Sequence, residues 1–108
     1  MFANPPAAPY LAVIFTSQRS DTDEGYGEAA ELMLSLAAQQ PGFLGVESAR
    51  GEDGLGITVS YWRDEAAILA WRDHPQHQVI RQKGRESWYD TYRTRVVRVE
   101  RDYGWARG

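Results

Sequence analysis

Tyr61-Trp62-Arg63-Asp64-Glu65-Ala66-Ala67-Ile68-Leu69-Ala70-Trp71, then Asp73-His74-Pro75-Gln76-His77, closing through Gly84 to Trp88, Tyr89 and Tyr92, is the stretch that decides the reading of this chain. Upstream of Arg63 the pattern alternates, with Ile57, Val59 and Tyr61 on one strand face and Thr58, Ser60 and Trp62 on the other. The alternation stops at Asp64, a residue suited to cap a helix. Ala67, Ile68 and Trp71 then follow helical spacing until Asp73-His74-Pro75 breaks it. Pro75 fits the first turn of a continuation, where its missing N–H leaves no bond unmade. Three of the four tryptophans, both histidines and three of the six tyrosines lie in residues 61–92. Chemistry on a small molecule is expected here.

Working outward, Tyr10 to Thr16 reads as a first strand. It is apolar at odd positions (Leu11, Val13, Phe15) and at even ones (Tyr10, Ala12, Ile14), so it needs cover on both faces. Ser20-Asp21-Thr22-Asp23 offers helix caps, and Tyr26, Ala29, Ala30, Met33 and Ala37 follow at helical spacing to Pro41-Gly42. Phe43 to Arg50 predicts a second strand, joined through Glu52-Asp53-Gly54 to a third at Gly56 to Trp62. A fourth is expected from about Thr91 to Tyr103, with Val97 and Val99 inward on one register and Val96 on the other. The order β-α-β-β-α-β is the ferredoxin-like α+β plan, a four-stranded antiparallel sheet with its helices on one face. The other face finds no cover within a chain this small. A second copy is the expected solution, two sheets facing each other as a dimeric α/β barrel. Residues 1–9, with Asn4-Pro5-Pro6-Ala7-Ala8-Pro9, read as a flexible lead-in, and residues 10–105 as the domain.

With 108 residues, 43% of them apolar, the chain is expected to fold as one domain. It has no cysteine, which excludes disulfides, thiolate catalysis and Cys-ligated metals and fits a reducing compartment. No run approaches the roughly 20 apolar residues of a membrane span, and the N-terminus lacks a signal-peptide pattern. A cytoplasmic protein with no membrane partner is expected. The net charge of −3 is uneven: residues 1–80 carry −7 and residues 81–108 carry +4. Such polarity steers anions or pairs subunits. Nucleic acid is not an expected partner, since the total is negative and the basic residues form no continuous run.

Tyr61 to Ile68 with Trp71, then His74-Pro75-Gln76-His77, Gly84 and Trp88-Tyr89, resembles the antibiotic biosynthesis monooxygenase (ABM) domain family. The ending Tyr92-Arg93 through Val99-Glu100-Arg101-Asp102-Tyr103-Gly104 fits the same family, and the resemblance covers residues 10–105. It implies a homodimer with a pocket in each subunit between sheet and helices. Characterised members include cofactor-independent monooxygenases that oxidise phenolic polyketide intermediates to quinones, and haem-degrading enzymes. Trp71 matches the helix tryptophan of both groups. The quinone-forming members place an asparagine one turn earlier, where this chain has Ala67. The haem degraders carry an asparagine late in the first strand, where Gln18 stands, and a histidine ten residues after the tryptophan, where Arg81 stands. Haem ligation of that type is therefore not expected.

Among the individual side chains, His77 is the candidate base, since a neutral imidazole near pH 7 is suited to taking a phenolic proton. Trp71 is a candidate aromatic wall, and Arg81 is placed to hold an anionic oxygen or a developing negative charge. Tyr61, Trp62 and Trp88 are candidate stacking surfaces. Adjacent strand positions face opposite ways, so Tyr61 or Trp62 lines the pocket, not both. Each residue also has a plainer reading: core packing for the tryptophans, a backbone-bonded imidazole for His77 and a surface ion pair for Arg81. His74 and His77 do not make a metal pair, because Pro75 interrupts their geometry and no carboxylate cluster completes the set. Arg93, Arg95, Arg98 and Arg101, alternating with Glu100 and Asp102, are expected to form inter-subunit ion pairs. Three classes follow. The first is a monooxygenase needing no cofactor, acting with O2 on a small aromatic phenol or quinol. The second is a non-catalytic small-molecule-binding or stress-associated dimer. The third is a haem protein.

Overall fold

The computed structural model describes residues 2–108. Its elements run β1 (Tyr10–Arg19), α1 (Tyr26–Ala38), β2 (Phe43–Arg50), β3 (Leu55–Trp62), α2 (Glu65–Arg72), α3 (Pro75–Lys83), a π-helical turn (Gly84–Trp88) and β4 (Tyr89–Val99). The four strands form one antiparallel sheet in the order β2-β3-β1-β4, which is the ferredoxin-like arrangement. It is an open sheet and not a closed barrel.

Register assigns every side chain to a face, because residues paired across strands point the same way. Trp62 pairs with Leu11 and with Phe43. The face carrying Leu11, Val13, Phe15 and Ser17 is therefore the face of Trp62, Ser60 and Thr58. Trp62 stacks on Trp71 of α2, so this is the helix side. Ala12 pairs with Tyr61 and Val97, and Ile14 with Val59, which puts these residues on the opposite, open face.

Local chemistry explains the element boundaries. Asp64 caps α2, its carboxylate accepting from the Ala67 N–H at 2.9 Å. His74 caps α3, Nδ1 accepting from the Gln76 N–H at 3.2 Å, with Pro75 as the first helical residue. Gly42 ends the α1–β2 connection at φ +85°, and a Cβ there would lie 2.6 Å from that of Ala67. The position therefore needs glycine both for its backbone and for the close approach of α2.

Two expectations are corrected. None of Ser20 to Asp23 caps α1; Gly25 does, in a left-handed conformation without a side-chain bond. Two of the polar groups are committed elsewhere. Asp23 pairs with Arg19 at 2.8 Å, and the Ser20 hydroxyl donates to the Ser87 carbonyl. β4 runs from Tyr89 to Val99, not from Thr91 to Tyr103. Its last partner is Tyr10, and beyond Tyr10 stands Pro9, which has no N–H to extend the ladder.

On the open face Tyr10 is buried and its ring meets that of Tyr61 edge-on at 5.6 Å. The Tyr10 phenol donates to Asp102, and the Tyr61 phenol donates to Glu47 at 2.6 Å. The Ala3 N–H also donates to Glu47, at 3.0 Å, so the lead-in touches this face. Tyr10's phenol is pushed up to about 12, first by its bond to Asp102. Tyr61's is also pushed up to about 12, first by burial and then by the Glu47 bond. Toward the other end the face is bare, with Leu55 and Ile57 50% and 47% exposed, and on β4 Val97, level with Tyr61, is 37% exposed.

Replacing Gly42 with Ala is predicted to destabilise the domain by about 2 kcal/mol, through positive φ and the clash with Ala67. Asp64→Ala is predicted to remove about 1 kcal/mol through the lost cap. Urea unfolding measures both; a Gly42→Ala protein as stable as the parent would show that α2 does not seat on this turn.

Candidate functional site

The break between α2 and α3 folds Trp71 and His77 against each other. Trp71 lies in the last turn of α2 and His77 in the first turn of α3. Their rings stack with centroids 4.2 Å apart and planes 12° from parallel. On the other side Trp71 stacks on Trp62 at 6.4 Å, and Phe43 meets Trp62 edge-on at 5.4 Å. Trp62 is completely buried, and its indole N–H donates to Ser60 Oγ at 2.9 Å. The result is a ladder of rings from the sheet out to an imidazole.

A hydrogen bond sets the protonation pattern of that imidazole. His77 Nδ1 lies 2.8 Å from the Trp71 carbonyl oxygen. A carbonyl only accepts, so Nδ1 carries the hydrogen, and in the neutral ring Nε2 is left with its lone pair. Burial is the main influence lowering the His77 pKa below its ordinary value. The Trp71 carbonyl opposes it, while the charges of Arg81 and His74 reinforce it. His77 is therefore held as a neutral imidazole with a free basic nitrogen.

The remaining candidates divide. Arg81 follows His77 by one turn, and its Nη1 donates to the Arg72 carbonyl at 3.3 Å, tying α3 back to the end of α2. Tyr61 lies on the open face, bound to Glu47, away from this stack. Of the Tyr61 and Trp62 pair, Trp62 is the one on the helix side. Trp88 sits elsewhere, in the π-helical turn, where it is buried, donates to the Glu24 carbonyl at 2.9 Å and meets Tyr26 edge-on at 5.9 Å. The structure thus brings together Trp62, Trp71, His77 and Arg81, and leaves Tyr61 and Trp88 apart from them.

A second aromatic cluster went unread in the sequence. Phe15, Tyr26, Tyr89 and Tyr92 meet at 5.1–6.0 Å, and the Arg19 guanidinium lies 3.4 Å from the centre of the Tyr26 ring. Burial and the Tyr26 hydroxyl at 3.5 Å push the Tyr89 phenol up. Tyr89 and Tyr92 stood in the decisive stretch, but their partners come from β1 and α1, and only the sheet register joins them. Among the described residues, no group of three or more His, Asp or Glu is placed to hold a metal ion, and no helix is long and apolar enough to cross a membrane.

Known proteins resemble this architecture and sequence. The uncharacterised protein YqjZ of Bacillus subtilis strain 168 is 59% identical over 96 residues, which cover 89% of this chain and 84% of that protein. Jasmonate monooxygenase ABM of Pyricularia oryzae is 35% identical over 94 residues, 82% of this chain but only 43% of the fungal protein's length. SnoaB, a cofactor-independent oxygenase from Streptomyces nogalater, superposes with a TM-score of 0.75 at 14% identity, covering 88% of this chain and 97% of SnoaB. That identity establishes a shared fold. The family model for antibiotic biosynthesis monooxygenases matches residues 9–83, which hold β1 to β3 and the Trp71–His77 hinge, so the chain belongs to the antibiotic biosynthesis monooxygenase family.

Proposed function

We propose that the protein is a monooxygenase needing no cofactor, acting on a small aromatic phenol or quinol of the polyketide kind. The observation that carries this reading is the neutral His77 imidazole, stacked on Trp71 with Nε2 unprotonated. Relatedness to a jasmonate monooxygenase and a fold shared with an oxygenase support the reaction class.

In the reaction the planar substrate sits at the edge of the Trp71–His77 stack, whose ring faces are taken by each other and by Trp62, and His77 Nε2 takes the phenolic proton. The phenolate is electron-rich enough to reduce O2 directly. An electron passes to O2, and recombination forms a C–O bond at a ring carbon bearing hydrogen. His77 returns its proton to the peroxide, and the resulting hydroperoxide loses that hydrogen and its terminal OH as water, leaving the quinone with one oxygen atom of O2. Arg81 supplies positive potential near the phenolate oxygen. Trp88 and Tyr61, remote from the stack, belong to this scheme only through the wider fold.

The protein acts as a homodimer in this proposal. The open face carries exposed Leu55 and Ile57 at its bare end and Val97 further along β4, and register puts Arg93 and Arg95 on the same face. Among the described residues, the ion pairs are Arg19–Asp23 and Arg72–Asp73, so these arginines remain available to a second copy. About 800 Å² buried per partner makes a standard stable interface.

Against a panel of polyketide phenols, oxygen consumption by the parent is predicted to fall by about 10²–10⁴ in kcat/KM on His77→Gln. The pH profile has a defined sign. The base is competent when neutral, so the rate falls as pH drops below about 6.5, through a midpoint lowered by burial. A His77→Gln protein with the parent's rate and profile would remove the base and leave the small-molecule-binding dimer as the better reading.

Light scattering at micromolar concentration is predicted to report twice the 12.2 kDa chain mass. Ile57→Lys is predicted to shift that mass toward the monomer. A parent that scatters as a monomer contradicts the assembly.

A further inference from the structure

Between α1 and α3 runs a groove of about 800 Å³ that the scheme above does not use. Its size is that of small-molecule clefts. Trp88, 7% exposed, is its floor, and Leu32 and Val79, 41% and 57% exposed, are apolar walls open to solvent. Val79 and Lys83, four residues apart on α3, line it. His77 and Arg81, also four apart, lie on a different stripe of the same helix and do not line it. The groove and the Trp71–His77 stack are thus separate places.

The rim has a sign. Glu24 and Glu28 border it from the α1 side and Glu86 from the π-helical turn, while Lys83 is the one cation in its lining. Among the described residues, none of the three carboxylates is in an ion pair, and Glu86 accepts only from Gln82, at 3.0 Å. An anionic ligand would meet an excess of negative charge over an apolar floor. A neutral one would leave those carboxylates unanswered.

We propose that this groove binds a small amphipathic cation, an amine on an apolar or aromatic body. The body packs on Trp88 between Leu32 and Val79, and the ammonium group sits among Glu24, Glu28 and Glu86. Apolar burial supplies the affinity and the carboxylates supply the selection. The inference stands apart from the oxygenase reading and uses none of its residues.

Calorimetric titration of the full chain with 4-phenylbutylamine, 4-phenylbutanol and 4-phenylbutyrate tests it with one body and three charges. The amine is expected to bind about tenfold tighter than the alcohol, and the acid weakest of all. Raising salt from about 20 to 500 mM is expected to weaken the amine and leave the alcohol unchanged, since only the charge is screened. The combined variant E24Q/E28Q/E86Q should lose the preference, Leu32→Ser should weaken amine and alcohol alike, and His77→Gln should leave both unaltered. Equal affinities, a preference for the acid, or salt-independent amine binding would overturn the proposal. So would amine binding abolished by His77→Gln and untouched by the triple variant, which would place the ligand in the other site. The salt series on the parent protein decides the matter even if a variant fails to fold.

Discussion

The stack of His77 on Trp71 is the contact on which the site depends, and it exists because one helix is broken into two. An unbroken helix would put residues six apart on different sides of its axis. Here Pro75 cannot continue the ladder of α2, His74 turns back to cap α3, and the Trp71 carbonyl at the end of α2 is free to accept from His77. That one carbonyl, which also accepts from the His74 N–H at 3.1 Å, thereby fixes both the ring's orientation and its tautomer. Trp62, buried on the sheet, and Gly42, which lets α2 approach, hold the Trp71 side of the stack in place.

The sheet divides two kinds of work. Its helix side carries the aromatic ladder from Phe43 through Trp62 to Trp71 and His77. Its open side carries two tyrosine–carboxylate pairs at one end and bare apolar residues at the other. The pairs keep their polar groups satisfied. Glu47, held below its ordinary pKa by the Tyr61 hydroxyl and the Ala3 N–H, stays a carboxylate. The bare end has no such provision, and it is the part of the face where the proposed second copy would sit.

Much of this was legible in the residues. The alternation of Ile57 to Trp62, the cap at Asp64 and the break at Asp73-His74-Pro75 are local signals, and local signals survive folding unchanged. The same alternation separated Tyr61 from Trp62 before any register was known. Long-range commitments were not legible. Ser20 to Asp23 looked like caps for α1, yet Arg19 and the Ser87 carbonyl claim two of them. The end of β4 was set by Pro9, some ninety residues away, and not by its own residues. Trp88 looked like part of the Trp71 site because they are near in sequence, but the π-helical turn carries it across to Tyr26. The Phe15–Tyr26–Tyr89–Tyr92 cluster left no trace in spacing, since three elements contribute to it.

The central claim is that folding holds His77 as a neutral imidazole, protonated at Nδ1 and free at Nε2. Nitrogen-15 NMR of the histidine side chains across a pH titration measures this directly. The account predicts a protonated-type resonance for His77 Nδ1, an unprotonated-type resonance for Nε2, and a midpoint below 6.5. A ring protonated at Nε2 when neutral, or one titrating at or above 6.5, would contradict it.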